Sequence, residues 1–217
     1  MDIESVDLVL RTTRSVRRRL DFERPVEPEL IEACIDIATQ APTGLNRENW
    51  RFLVVTDPEK KRGVADLYRR AFEGMAERWA ELGETLDLPE PPPERPAYRA
   101  LAERLHELPV LILVCAIGEP AHDEPALEVA FYGSIFPAAW SLMLALRARG
   151  LGSTWTTLHL RERDATAELL GIPDGVTQTV LLPVAYTKDA NLKPARRQPA
   201  AEVVFWNEWG RRRETLL

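Results

Sequence analysis

The stretch Q40-APTGLNRENWRFLVVTDP-E59 changes character three times within its length and decides how the chain around it is read. Before it, Leu30, Ile31, Cys34, Ile35, Ile37 and Ala38 recur at helical spacing behind Pro28, a residue suited to a helix start. Inside it, Trp50, Phe52, Leu53, Val54 and Val55 form a short apolar run closed by Thr56-Asp57-Pro58, the pattern of a buried strand and a turn. Between helix and strand, Thr43, Gly44, Asn46, Arg47 and Asn49 offer more hydrogen-bonding groups than a plain connection needs.

Outward from this point, helices and strands alternate unequally. The spacing predicts helices over 3–12, 28–39, 58–82, 125–149 and 161–170, and strands over 50–56, 109–117 ("PVLILVCAI"), 153–160 ("STWTTLHL") and 177–186 ("TQTVLLPVAY"). The 58–82 helix carries Val64, Leu67, Tyr68, Ala71, Phe72, Met75 and Trp79 on one stripe. "LPEPPPERP", 88–96, is expected to run extended, because proline lacks the donor that a helix or inner strand requires. The tail "AEVVFWNEWG" carries Val204, Phe205, Trp206 and Trp209 after the last strand, apolar surface that must be covered.

Composition narrows the function classes. With 217 residues, 45% of them hydrophobic and 29% charged, the chain can bury a full core as a single domain, 1–217. A net charge of −6 argues against nucleic acid as a partner despite Arg17-Arg18-Arg19. The acidic start has no apolar core of a secretory signal, and Glu128, Ser134, Pro137 and Ser141 interrupt the apolar window 126–146, so it is read as a core helix and not a membrane span; the expected location is cytoplasmic. Cys34 and Cys115 lie among apolar residues and are read as free and buried. His106, His122 and His159 lack ligand spacing, which leaves no expected metal site, and Ser153, His159 and Asp164 lack the G-x-S-x-G elbow of a hydrolase. Neither G-x-G-x-x-G nor a P-loop is present, so a Rossmann or P-loop reading fails.

Two basic clusters remain. Arg14, Ser15 and Arg17 lie within four positions of one another, and Lys193, Arg196 and Arg197 precede Pro199. Guanidinium forks match phosphate oxygens, although a solvated basic turn would look the same in sequence.

These segments together resemble the FMN-dependent nitroreductase family. "RSVRRR", "APTGLNRENWRFLVVTDPE", "LALRARGLGSTWTTLHL", "LLGIPDGV" with "LLPVAYT", and "KPARRQPAAEVVFWNEWG" occur in the family's order over nearly the whole chain. The resemblance implies an α+β fold, a mixed, mainly antiparallel sheet flanked by helices, in an intertwined homodimer with FMN at the subunit interface. It implies that Arg14, Ser15, Arg17 and Arg197 bind the phosphate and ribityl end. Pro42, Thr43, Gly44 and Asn46 would lie along the ring and ribityl chain, Ser134 would touch flavin, and Trp155, Thr156 and Thr157 would lie over the isoalloxazine. Thr13 stands where the family usually has arginine, and Asn49 where it commonly has proline. The implied activity is NAD(P)H-dependent reduction of a small aromatic acceptor, a nitroaromatic or quinone, through FMN, the cofactor carrying the hard chemistry while the protein binds and orients it. The segment 68–105 is expected to act as a lid, with Phe72 and Tyr98 on the substrate side, and 199–217 as a dimer-wrapping tail. Two alternatives stay open: a flavin store or sensor without turnover, and a reductive dehalogenase like iodotyrosine deiodinase. On an ungapped count, the acidic and tyrosine groups with which that relative grips its amino acid fall near Phe72 and Ala76, which do not offer them, and a gap would restore Glu73 or Glu77.

Overall fold

A computed structural model describes residues 2–83, 96–188 and 191–213. Its elements run α1 (Ile3–Thr12), β1 (Leu20–Asp21), α2 (Pro28–Ala38), β2 (Trp50–Val55), α3 (Pro58–Glu73), α4 (Met75–Gly83), α5 (Pro96–Arg104), β3 (Val110–Ile117), α6 (Pro125–Ala148), β4 (Leu151–Ser153), α7 (Arg163–Leu170), β5 (Val176–Thr187) and α8 (Ala200–Val203). The expected proline-rich extension lies outside the described residues except for Pro96, which opens α5.

Local chemistry sets the helix ends. The Asp57 carboxylate accepts the amides of Glu59 and Lys60 at 3.0 and 2.8 Å, with Pro58 occupying the first turn, where no donor is missed. The single helix expected over 58–82 divides at Gly74, which caps α3.

All named strand pairs are antiparallel, in the order β1-β5-β3-β2 with β4 also on β5, and among the described residues the one parallel contact is an isolated bridge between Gly118 and Val176. β3 is central, and its side chains alternate between two cores. Val110, Ile112, Val114 and Ala116 join α2 and α6 residues such as Ile31, Cys34, Ile135 and Leu142; Leu111, Leu113 and Cys115 join Val64, Tyr68, Phe72, Leu101 and Ala102 from α3 and α5. Both thiols are free and buried, one in each core, and burial pushes Cys115 up to about 12.

The strand expected over 153–160 is shorter than its pattern. β4 pairs Leu151, Gly152 and Ser153 with Tyr186, Ala185 and Val184, and Thr156 then exchanges both backbone bonds with Leu181 at 3.1 and 2.9 Å in the same register. Bonded pairs alternate along an antiparallel ladder, so Thr154 stands opposite Pro183 where that proline would have to donate. The ladder breaks there, and Leu158–Glu162 turns into 3-10 helix.

Candidate functional site

The first arginine cluster is displayed from an extended segment fastened to the sheet. The Val16 amide donates to the Ser153 carbonyl at 2.9 Å, the buried Thr154 hydroxyl donates to the Val16 carbonyl at 2.7 Å, and the Lys188 amide donates to the Arg19 carbonyl at 2.9 Å. The close approach requires Gly152: a Cβ there would stand 2.7 Å from Thr187 Cγ2, 2.9 Å from Leu20 Cδ2 and 3.2 Å from Val16 Cβ. With Val16 buried, Arg14, Ser15 and Arg17 line a cleft of about 710 Å³ whose opposite wall is Asn191, Leu192 and Lys193. Arg14 Nη1 donates to the Lys193 carbonyl across it at 3.0 Å.

Arg14 also lines a second cleft, of about 360 Å³, with Arg197, Thr13 and Trp140. The two basic clusters of the sequence therefore meet, and among the described residues no carboxylate lines either cleft. Such a surface favours an anionic ligand. Arg17 keeps one donor in reserve: its Nε is buried with no partner. Thr13, in the place of the family's usual arginine, closes α1 by donating its hydroxyl to the Val9 carbonyl at 2.6 Å.

Helix α6 organises the rest. The Ser134 hydroxyl accepts the Gly44 amide at 2.8 Å and donates to Ala130 at 2.7 Å, so its hydrogen bonds fasten the 42–46 loop to the helix. That loop projects outward, with Pro42, Gly44 and Asn46 exposed and Thr43 half-buried. Leu45 and Asn46 adopt φ of 55° and 53°, and Leu45 is 86% exposed. Non-glycine residues rarely adopt such angles, and strain of this kind concentrates at binding loops. Two residues beyond Ser134, Phe136 meets Trp155 edge-on with ring centroids 5.4 Å apart, and Trp140, four residues further, borders Arg14 and Arg197. Asn49, in the place of the commoner proline, accepts the Ile117 amide at 2.7 Å and prolongs the β2–β3 ladder.

Thr156 is half-buried and Thr157 exposed. The Thr156 hydroxyl lies 3.0 Å from the buried Tyr68 hydroxyl, a partner that sequence reading treated as part of a core stripe. The expected substrate-side pair separates. Phe72 is 5% exposed and belongs to the core under β3, a consequence of the same α3 stripe, so it cannot cover a ligand from there. Tyr98, on α5, is half-buried and packs under Arg17. Among the described residues, no three His, Cys, Asp or Glu side chains gather to hold a metal ion.

An antiparallel sheet between two helical layers, with a cationic double cleft at its edge, defines an α+β protein whose cleft chemistry suits an anionic ligand. Residues 10–186 match the model of the Nitroreductase family, and the chain belongs to that family. It is 30% identical over 197 residues to an iodotyrosine deiodinase of Thermotoga neapolitana, covering 90% of this chain and 94% of the relative. It is also 30% identical over 207 residues to an NADH dehydrogenase of Thermus thermophilus, covering 89% and 91%. The solved FMN-dependent nitroreductase of Mycobacterium smegmatis, in complex with NADPH, superposes with a TM-score of 0.69 at 19% identity over 95% of this chain and 99% of that one, a likeness of fold.

Proposed function

We propose that the chain binds FMN across the joined clefts and uses it to pass a hydride from NAD(P)H to a small aromatic acceptor of nitroaromatic or quinone type. The observation that carries this reading is the convergence of Arg14 with Lys193 and Arg197 from the other end of the chain, with no carboxylate among the described lining residues. The residues suit the group: a terminal phosphate needs charge-assisted donors, and the unpartnered Nε of Arg17 has a donor to give. When bound, FMN would supply the hydride-accepting and hydride-donating chemistry. The protein's part is then to bind and orient. Arg14, Ser15 and Arg197 would take the phosphate end, Arg17 would place positive charge beside the ligand, and Pro42, Thr43, Gly44 and Asn46, fastened through Ser134, would form one wall, with Trp155, Thr156 and Thr157 another.

The working unit is a homodimer. Ile3, Leu8 and Leu10 of α1, Leu127, Val129 and Trp140 of α6, and Val203, Trp206 and Trp209 of the tail are 38–93% exposed, apolar surface that a second copy would cover beside the clefts.

A second reading has specific support in the kinship to the Thermotoga iodotyrosine deiodinase: reductive dehalogenation of a halogenated aromatic amino acid. One experiment separates the readings. The purified protein, expected to be yellow and to release FMN on denaturation, is mixed without oxygen with NADH or NADPH and the flavin band followed. Bleaching that reverses on adding a nitroaromatic or quinone supports the proposal. Bleaching by dithionite alone, with iodide released from 3-iodotyrosine, supports the dehalogenase, and no turnover with any pair supports a store or sensor. Colourless protein that takes up no FMN refutes all of these readings.

A further inference from the structure

Helix α5, on the far side of the 84–95 segment from α4, meets the arginine stretch at Tyr98. The Arg17 guanidinium carbon lies 4.2 Å from the Tyr98 ring centroid, a cation–π contact. The ring stands on firm support, since Leu101 and Ala102 of the same helix are 3% and 1% exposed in the core. A guanidinium held by its face keeps its N–H donors in the plane of its edge, and here the Nε donor is buried and unmet. Tyr68 lies close enough to sense both groups: burial raises its pKa, and after the Thr156 hydrogen bond, which lowers it, come the charge of Arg17, lowering, and Tyr98, raising. Through Tyr68, the cluster reaches the Thr156 hydroxyl, and so the Trp155–Thr157 wall.

We propose that Tyr98 is a positioning residue: it holds the Arg17 guanidinium by its face so that its edge donors serve the cofactor, and so ties FMN affinity and reduction potential to the seat of α5. This rests on the FMN reading above. It moves Tyr98 from the acceptor's side of the site to the support of the cofactor's charge.

The test uses the holoprotein, stripped of FMN and retitrated by flavin fluorescence, with the midpoint potential of the reloaded protein measured by dye equilibration. The proteins are wild type, Tyr98→Phe, Tyr98→Leu, Arg17→Gln and the double variant Tyr98→Leu/Arg17→Gln, with Tyr98→Met replacing Leu throughout should Leu fail to fold. Tyr98→Leu is expected to raise the FMN Kd by roughly three- to thirtyfold and to make the potential more negative, because a looser cation stabilises the reduced anion less. Tyr98→Phe keeps the ring face and stays within about twofold. In the Arg17→Gln background, Tyr98→Leu adds nothing. A Tyr98→Leu effect of equal size with and without Arg17 assigns the ring to packing and overturns the proposal, as does the absence of any effect. Wild-type protein that takes up no FMN refutes the cofactor reading, and the proposal with it.

Discussion

Lowering the pH should destabilise this protein through one histidine. His159, on the 3-10 turn after Thr157, is fully buried with neither ring nitrogen partnered, and desolvation depresses its pKa from 6.5 to about 4. Above pH 6.5 the ring is neutral in both the folded and unfolded chains, so its contribution to stability is whole. As the pH falls below 6.5, the unfolded chain takes up a proton that the folded chain refuses until near pH 4, and stability is lost across that window. The full loss is roughly 3 kcal/mol, of which about 2 kcal/mol falls between pH 7.5 and pH 5. That range lies above the window of Glu27 and Glu107, whose carboxylates are held below their ordinary value by hydrogen bonds to Tyr186 and Arg104. The assay is urea unfolding of wild type and His159→Leu at pH 7.5, 6 and 5, at equal cofactor occupancy. The variant should lose about 2 kcal/mol less than wild type over that range, whatever its stability at pH 7.5. Parallel losses, within about 0.5 kcal/mol, would show that the imidazole is not the buried titrating group.

Arg14→Ala or Arg197→Ala should weaken FMN binding by roughly ten- to a hundredfold in a fluorescence titration without lowering the unfolding midpoint of the FMN-free protein, while Arg18→Ala, exposed at the rim, should change the affinity little. Equal losses from all three would mean that the cleft acts through its summed charge alone. Phe72→Ala should cost about 3–5 kcal/mol in urea unfolding, and a fully stable variant with altered acceptor preference would contradict its core position. Gly152→Ala should cost about 1–3 kcal/mol, because the added Cβ meets Thr187, Leu20 and Val16 at once; a neutral result would mean that the arginine segment can lift from β4 without penalty.

What could be read in advance followed the strength of each local pattern. The helix at 28–39, the β2 run and the continuous apolar β3 were legible because periodicity and burial agree there. β1 was not, since two residues, Leu20 and Asp21, carry no period, and α5 was hidden behind prolines that stop one residue into it. "STWTTLHL" is rich in the threonine and tryptophan that strands favour, yet its ladder depends on the partner's Pro183, a fact of register that its own residues do not contain. At the site, the basic clusters announced themselves by charge, and their union through Arg14 and Lys193 needed the fold. Phe72 misled for a plain reason: an aromatic on an amphipathic stripe looks the same whether the stripe meets a core or a ligand. Tyr68 gave no sign of its hydroxyl's partner, which lies 88 positions away.

The bond between Arg14 and Lys193 closes a loop of 179 positions. On a ribosome, the wall at 14–19 would emerge long before its counterpart at 191–193, so the cleft has no second side until that later segment is made. The β4 edge that anchors the early wall, Leu151–Ser153, also arrives late. Arg14, Arg17, Arg18 and Arg19 thus wait for their final neighbours while the intervening residues are made. With FMN held in this cleft as proposed, its capture would wait for both walls, and flavin supply would act only on chains that already carry residues 191–193.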